Sequence, residues 1–235
     1  MSEAFPVAIL AGGLATRLRP LTERIPKALI DINGEPFIAH QLRLLASRGI
    51  RQVVLCTGYL GEMIEEFVGD GSRFGLSVRY SPDGPKLLGT AGCLRQAAPL
   101  LADRFFVLYG DSYLPCDYRA VQTAFEASHA RGMMTVYHNE GRFDTSNIEF
   151  VDGRIIAYDK KVRTERMRHI DYGLGVLRRD ALDLVSPGEP YDLATLYGTL
   201  LARGELAAFE VPERFYEIGS LAGIEDLKKV LRAEC

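Results

Sequence analysis

Residues 9–27 read Ile-Leu-Ala-Gly-Gly-Leu-Ala-Thr-Arg-Leu-Arg-Pro-Leu-Thr-Glu-Arg-Ile-Pro-Lys. An apolar run ending at Leu10 opens into the small residues Ala11, Gly12 and Gly13, and two cations follow at Arg17 and Lys27. A buried strand that opens into glycines presents bare backbone N–H groups at its carboxyl end, which suits a phosphorylated ligand. Arg17 and Lys27 add the positive charge that a polyphosphate requires. The loop is not a Walker A loop, because no Gly-Lys-Ser/Thr follows, and it is not Gly-x-Gly-x-x-Gly, because positions 15 and 17 are Ala and Arg. Further along, Gly89-Thr90-Ala91-Gly92 opens a helical segment, where small residues let backbone approach a base or ribose and Thr90 is placed to cap the helix. Gly110-Asp111 follows the apolar run 105–109, with Gly110 leaving backbone room beside a carboxylate. Ligands bind at the carboxyl ends of strands in open α/β sheets.

With Asp159-Lys160, Asp171-Tyr172-Gly173 and Glu217-Ile218-Gly219-Ser220, these motifs match in order and spacing those of the sugar-1-phosphate nucleotidyltransferases, and the chain resembles that family over nearly its whole length. The resemblance implies a Rossmann-like α/β core, Mg²⁺, and transfer of a nucleotidyl group from a nucleoside triphosphate (NTP) to a sugar 1-phosphate. It assigns nucleotide contacts to Leu10, Ala11, Gly12, Gly13, Gly89, Thr90 and Gly92. Arg17 would grip the leaving phosphates, Lys27 the phosphate under attack, and Lys160 the acceptor phosphate. Asp111 and Glu217 would hold the metal, although the family usually has Asp where this chain has Glu217. Glu149 sits where the family places a sugar-binding Glu. Asp171 replaces a common Asn, and Ala15 replaces a usual Gly, which is expected to exclude a positive φ there. Leu87-Leu88-Gly89-Thr90-Ala91-Gly92 resembles guanylyltransferases for mannose and heptose phosphates, so GTP is favoured. The N-acetylmuramate 1-phosphate uridylyltransferases are also similar, in length and in Gly69-Asp70-Gly71-Ser72. Cytidylyl transfer to a non-sugar phosphate and a non-catalytic nucleotide-sugar sensor are the other readings; a sensor should have lost Arg17, Lys27 or Asp111.

The elements that must position these residues follow from hydrophobic period. Strands are expected over 7–10, 28–32, 53–57, 76–80 and 105–109, and helices over 36–47, 60–68 and 90–101. Asn33-Gly34 is a turn signal and Gly49 a helix stop. Strands separated by helices in this rhythm predict a mostly parallel central sheet covered by helices on both faces. After residue 111 the rhythm changes, with strands over 133–138, 147–151, 154–158, 172–177 and 207–211 and helices over 118–130, 192–203 and 221–233. Asp152-Gly153 turns one strand into the next, so Glu149 and Lys160 lie on one hairpin, with Asp171 opening a later strand. The three are expected to surround one sugar phosphate. Asp117, Asp144 and Asp192 read as caps or turn residues. No linker interrupts residues 1–235, which read as one domain: a nucleotide-binding half to about 115 and a sugar-phosphate half from about 116.

Composition narrows the alternatives. The 235 residues are 47% hydrophobic and 25% charged with a net charge of −3, ordinary for a soluble globular chain and without the basic balance of a nucleic-acid binder. No apolar run approaches a membrane span, and Met-Ser-Glu-Ala is expected to be no secretion signal. Cys56, Cys93, Cys116 and Cys235 lack Cys-x-x-Cys spacing and read as free thiols in the cytoplasm. His40, His129, His138 and His169 form no ligand pair. No hexapeptide-repeat extension is expected, and the sequence leaves monomer and homodimer open.

Overall fold

A computed structural model gives the structure of residues 3–233; Cys235, read above as a thiol, lies outside the described residues, as do Met1 and Ser2 of the N-terminal motif. The strands are β1 (Val7–Ala11), β2 (Asp31–Ile32), β3 (Glu35–Pro36), β4 (Gln52–Thr57), β5 (Ser77–Pro82), β6 (Arg104–Tyr109), β7 (Ser112–Tyr113), β8 (Gly132–His138), β9 (Ile148–Val151), β10 (Arg154–Tyr158), β11 (His169–Arg178), β12 (Leu206–Glu210) and β13 (Tyr216–Glu217). The helices are α1 (Phe37–Ser47), α2 (Gly61–Val68), α3 (Gly89–Ala97), α4 (Tyr118–Ser128), α5 (Leu193–Ala202) and α6 (Leu221–Ala233).

One nine-stranded sheet runs β10-β9-β11-β6-β1-β4-β5, with β8 beside β11 and β12 beside β8. The expected parallel core is the ladder β5-β4-β1-β6, in which every pairing is parallel. The later strands extend it with antiparallel pairings of β11 to β6 and β8, and of β10 to β9. Each central strand sends alternate side chains to opposite faces, as the pleat dictates. Val7, Ile9, Phe106 and Leu108 join α1, α2 and α4 in one cluster, through residues such as Leu42, Ile64 and Phe125. Ala8, Leu10, Phe105 and Val107 join α3 and α5 in another, through Leu94 and Leu196. The helices therefore cover both faces. A third cluster seats Ile224, Leu227 and Leu231 of α6 against Leu18, Ile30 and Ile218. Each such side chain contributes about 1.5–3 kcal/mol on burial. No helix among the described residues is long and apolar enough to cross a membrane.

Most differences from the expected elements have local causes. Only part of the strand expected over 28–32 forms: Lys27–Leu29 makes a 3-10 turn, and Asp31–Ile32 pairs with Glu35–Pro36 around Asn33 and Gly34, both at positive φ. Pro36 stands just before α1 rather than in its first turn. The helix expected to reach residue 101 stops at Ala97 and tightens into a 3-10 turn at Ala98–Leu100, where Pro99 has no N–H to give. β11 begins three residues earlier than expected because His169, Ile170 and Asp171 pair with β8.

The glycine-rich loop holds the main backbone surprise. Ala15 adopts the left-handed conformation, φ 48° and ψ 42°, against the expectation that Ala would exclude it. Its carbonyl accepts from Leu18 N at 3.1 Å and Thr22 Oγ1 at 2.8 Å, and these bonds hold a conformation that costs an L-residue about 1–2 kcal/mol. Ala15→Gly should therefore raise stability by about 0.5–1 kcal/mol, after allowing for the greater unfolded-state freedom of glycine. Denaturant midpoints at unchanged slope measure this; a destabilised variant would show that the conformation carries no strain.

Candidate active site

The site begins where β1 and β6 end. They run parallel in adjacent register, with Leu10 opposite Tyr109, so their carboxyl ends stand side by side. Gly110 N donates to Leu10 O at 3.0 Å, and a Cβ at 110 would lie 2.5 Å from that oxygen, so only glycine fits. From α1 the buried Gln41 donates through Nε2 to Tyr109 O at 3.1 Å and to Ser112 O at 2.8 Å, clamping the turn that carries Asp111. On the far side of that turn, β7 pairs with β13, which sets Glu217 opposite Ser112, and Ile218 N donates to Asp111 O at 2.9 Å. The 3-10 turn Lys27–Leu29 then brings Lys27 Nζ to 2.9 Å from Asp111 Oδ2. Ser112 Oγ donates to Asp111 Oδ1 at 3.4 Å. The Glu217 carboxylate accepts from Gly219 N and, at 3.1 Å, from Ser220 Oγ.

Two cavities, of about 260 Å³ and about 570 Å³, open on either side of this pair and share Ala15, Lys27, Tyr109 and Asp111. The smaller is lined by Leu10, Ala11, Gly12, Gly13, Gly89 and Thr90, with Asp83, Leu87 and Cys93. Gly92 lines neither cavity. A Cβ there would meet Glu189 O at 2.8 Å, so its smallness serves packing on residues 189–191. Gly89, at φ +71°, is likewise pressed on Tyr191 O. Thr90 does not cap its own helix: Leu88 stands at that position, with no side-chain cap. The Thr90 hydroxyl instead accepts from Leu193 N at 2.7 Å and donates to Asp192 Oδ1 at 3.3 Å, securing the start of α5.

The larger cavity gathers Arg17, Lys27, Lys160 and Arg163 with Asp111, Asp144, Asp171 and Glu217. Arg17 is exposed and, among the described residues, takes part in no hydrogen bond or ion pair. Lys160 Nζ lies 5.6 Å from the ring centre of Tyr109 and 5.9 Å from that of Tyr158. Asp171 accepts from Tyr158 OH at 3.2 Å and from Gly173 N at 3.1 Å. Burial pushes its carboxyl above the ordinary range against the pull of Lys160. Burial also pushes the Tyr109 phenol up, and among the described residues its hydroxyl has no hydrogen-bond partner. Lys160 and Asp171 thus share one cavity, but Glu149 does not line it: that side chain is almost buried on β9 and meets the exposed Arg166 Nε at 3.4 Å. Asp117 and Asp192 are helix caps, and Asp144 binds Thr145 N as a turn residue besides lining the cavity.

Gln41, Asp83, Tyr109 and Arg163 were missed in the sequence. Gln41 left a signal, a polar side chain on the core face of α1 between Ile38 and Leu42. Arg163 left a fainter one, the basic run 160–168.

The nucleotidyl transferase family model matches residues 7–146. This chain belongs to the nucleotidyl transferase family. It is 42% identical over 118 residues to the N-acetylmuramate alpha-1-phosphate uridylyltransferase of Neisseria meningitidis serogroup B, covering 49% of this chain and 51% of that protein. It is 29% identical over 219 residues to the mannose-1-phosphate guanylyltransferase catalytic subunit beta of Xenopus tropicalis, covering 90% and 60%. The chain thus spans only about half to three-fifths of the length of these relatives. Its fold is that of HddC from Yersinia pseudotuberculosis, solved with GMP-PN, with a TM-score of 0.79, 23% identity and 97% and 99% of the two chains covered.

Asp171 gives a pH test. Because its folded-state pKa is raised, the folded chain holds the proton over a range where the unfolded chain has released it. Stability therefore falls as pH rises from the ordinary value of 3.8 to the raised one, and the loss persists above it. Asp171→Asn removes this loss. Thermal melts from pH 3 to 8 should show the variant gaining on the wild type through that window and holding its advantage at neutrality. Parallel curves would mean that the carboxylate is solvated.

Proposed function

We propose that this protein transfers a nucleotidyl group from a nucleoside triphosphate to a sugar 1-phosphate, releasing pyrophosphate. One observation carries the reading: a glycine-rich cavity and a cation-lined cavity meet at a shared wall that holds the Lys27–Asp111 pair. Two substrates held on either side would meet there. An acceptor phosphate oxygen attacks the α-phosphorus, the bond to the bridging oxygen of pyrophosphate breaks, and the electron pair leaves with pyrophosphate. No enzyme nucleophile is needed, so the residues align two anions and balance their charge.

Lys27 stands at the junction and is assigned to the phosphate under attack. Its pair with Asp111 is partly solvent-exposed, 22% and 35%, and such a pair contributes only about 0–1 kcal/mol, so an arriving phosphate displaces the carboxylate at little cost. Arg17, with no partner among the described residues, is assigned to the leaving phosphates, where a planar fork of donors suits phosphate oxygens. Lys160 is assigned to the acceptor phosphate and Asp171 to a sugar hydroxyl. Among the described residues no three His, Cys, Asp or Glu side chains group closely enough to hold a metal. Two carboxylates completed by substrate oxygens suit Mg²⁺, so Asp111 and Glu217 fit as its protein ligands. Bound there, the ion would supply charge neutralisation on the phosphates. GTP and a mannose- or heptose-type acceptor are the substrates proposed, on the run 87–92 and the similarity to a mannose-1-phosphate guanylyltransferase. The buried free thiols Cys56, Cys93 and Cys116 support a reducing, cytoplasmic location. A quaternary-ammonium acceptor would need a cage of aromatic and acidic groups; the larger cavity has Tyr109, Tyr172 and Phe215, but it sets four cations among its four carboxylates.

Pyrophosphate release with a panel of nucleoside triphosphates and sugar 1-phosphates tests the reading. Arg17→Ala should lower kcat/KM for the triphosphate about 10- to 100-fold with folding intact, the effect of about 1.5–3 kcal/mol for a charged hydrogen bond. Lys160→Ala should instead raise KM for the sugar phosphate and leave triphosphate binding unchanged. Wild-type turnover in Arg17→Ala would sink its assignment. A separate check concerns Asp111: activity should vanish in chelator, return with Mg²⁺, and be abolished by Asp111→Asn; full activity in that variant would place the metal elsewhere.

A further inference from the structure

We infer that Arg214 is a positioning residue that ties the loop on one side of the larger cavity to the strand that carries Glu217. The inference rests on the assignment of that cavity to the sugar phosphate. The Arg214 guanidinium lies 3.8 Å from the ring centre of Phe143 and 4.8 Å from that of Tyr216. It also donates to the carboxylate of Asp226 in α6. One side chain therefore touches three elements that are distant in sequence. Hydrogen bonding does not explain its place. Nε is buried with no partner among the described residues, and the ion pair to Asp226 is 33% and 41% exposed, a setting in which such pairs contribute little. A planar cation set over aromatic rings is held mainly by their faces. Arg214 lines neither cavity, so it acts through the groups it holds.

Phe143 belongs to the loop 139–146, which is built on the buried Asn139. Asn139 Oδ1 accepts from Phe143 N at 3.2 Å, and its Nδ2 donates to Asp144 O at 2.6 Å and to Ser146 Oγ at 3.2 Å. The place of Phe143 thus sets the place of Asp144 and Thr145, which line the larger cavity and not the smaller. Phe143 is itself 40% exposed, so burial alone does not hold the loop down. At the other end of the tie, Tyr216 directly precedes Glu217 on β13. Phe215 meets Phe143 edge-on at 6.1 Å and lines the same cavity. The first turn of α6 packs on Glu217, since a Cβ at Gly223 would lie 2.6 Å from its Oε1. Arg214 therefore keeps the wall at 144–145 in register with Glu217. Its loss should be felt by the acceptor and not by the triphosphate.

The test pairs fluorescence with kinetics. The chain has no tryptophan, so Phe143→Trp places a single reporter on the loop. Adding Arg214→Gln to Phe143→Trp should at least double the acrylamide quenching constant of that reporter. Equal quenching with and without Arg214 overturns the inference and needs no substrate. Kinetics then use chains with Phe143 restored, saturating Mg²⁺ and the best substrate pair from pyrophosphate release. Arg214→Gln should raise KM for the sugar 1-phosphate about 3- to 30-fold, the range that a partly desolvated cation–π contact supports, and leave KM for the triphosphate within about twofold. Phe143→Leu should do the same, and it carries the kinetic test alone if Arg214→Gln fails to fold. The double variant should be no worse than the worse single one, because both break one contact. Equal changes in the two KM values, or effects that multiply in the double variant, overturn the inference. So does a lowered melting temperature with both KM values unchanged, the mark of a merely structural residue. The two proposals fail separately. Quenching that depends on Arg214, with no turnover even in the wild type, would leave the tie standing and remove the transfer reaction. Turnover with quenching and KM values indifferent to Arg214 would do the reverse.

Discussion

The site depends on the contact between the ends of β1 and β6. Parallel pairing delivers both chains to the same edge of the sheet, and the 3.0 Å bond from Gly110 N to Leu10 O continues the ladder past the last paired residues. No side chain is tolerated at 110. The glycine-rich loop and the acidic turn are therefore held at a fixed spacing, and Gln41 fixes the turn from behind with two hydrogen bonds inside the protein. Everything assigned to phosphate is measured from this frame. Lys27 meets Asp111 because the turn cannot move away from the loop, and Glu217 reaches the same place because its short ribbon pairs with residues 112–113.

Around this rigid frame the cations are held loosely. Among the described residues Arg17 has no protein partner, Lys160 rests near aromatic rings, and Lys27 is paired with the Asp111 carboxylate in a partly exposed ion pair. This division suits a reaction between two anions. The carboxylates and backbone are positioned by the fold, whereas the positive groups keep the freedom that the proposed reaction would need. Hydrophobic packing limits that freedom, since Leu18 and Ile218, the neighbours of Arg17 and Glu217, are anchored with Ile30 beneath α6.

Much of this was readable in the chain. The strand–helix rhythm to residue 111 specified the parallel ladder, because strands buried on both faces read as unbroken apolar runs. The motifs at 12–13, 89–90, 111, 160 and 171 converge on two adjoining cavities. What failed to show depends on long-range contacts. Thr90 reads as a cap by local rules but serves a helix a hundred residues away. Glu149 shares the alternation of a cavity-facing strand, yet the cavity ends before it. Ala15 breaks a steric preference because its carbonyl is held by two donors, only one of them backbone. Gln41 acts through what it is bonded to, and no spacing rule reports that.

The seam between Leu88 and Tyr191 bears on how this protein can be divided. Tyr191 N donates to Leu88 O at 2.8 Å, its own carbonyl takes Ala91 N and Gly92 N, and Thr90 holds Leu193. The wall of the smaller cavity is thus backed by residues 191–193, although every residue lining that cavity lies before residue 112. Cutting or recombining the chain near residue 115, the natural joint by sequence motif, would strip that wall of its backing. Inheritance of the nucleotide motifs alone does not carry an intact pocket with it; the unit that can be exchanged between relatives must run through α5.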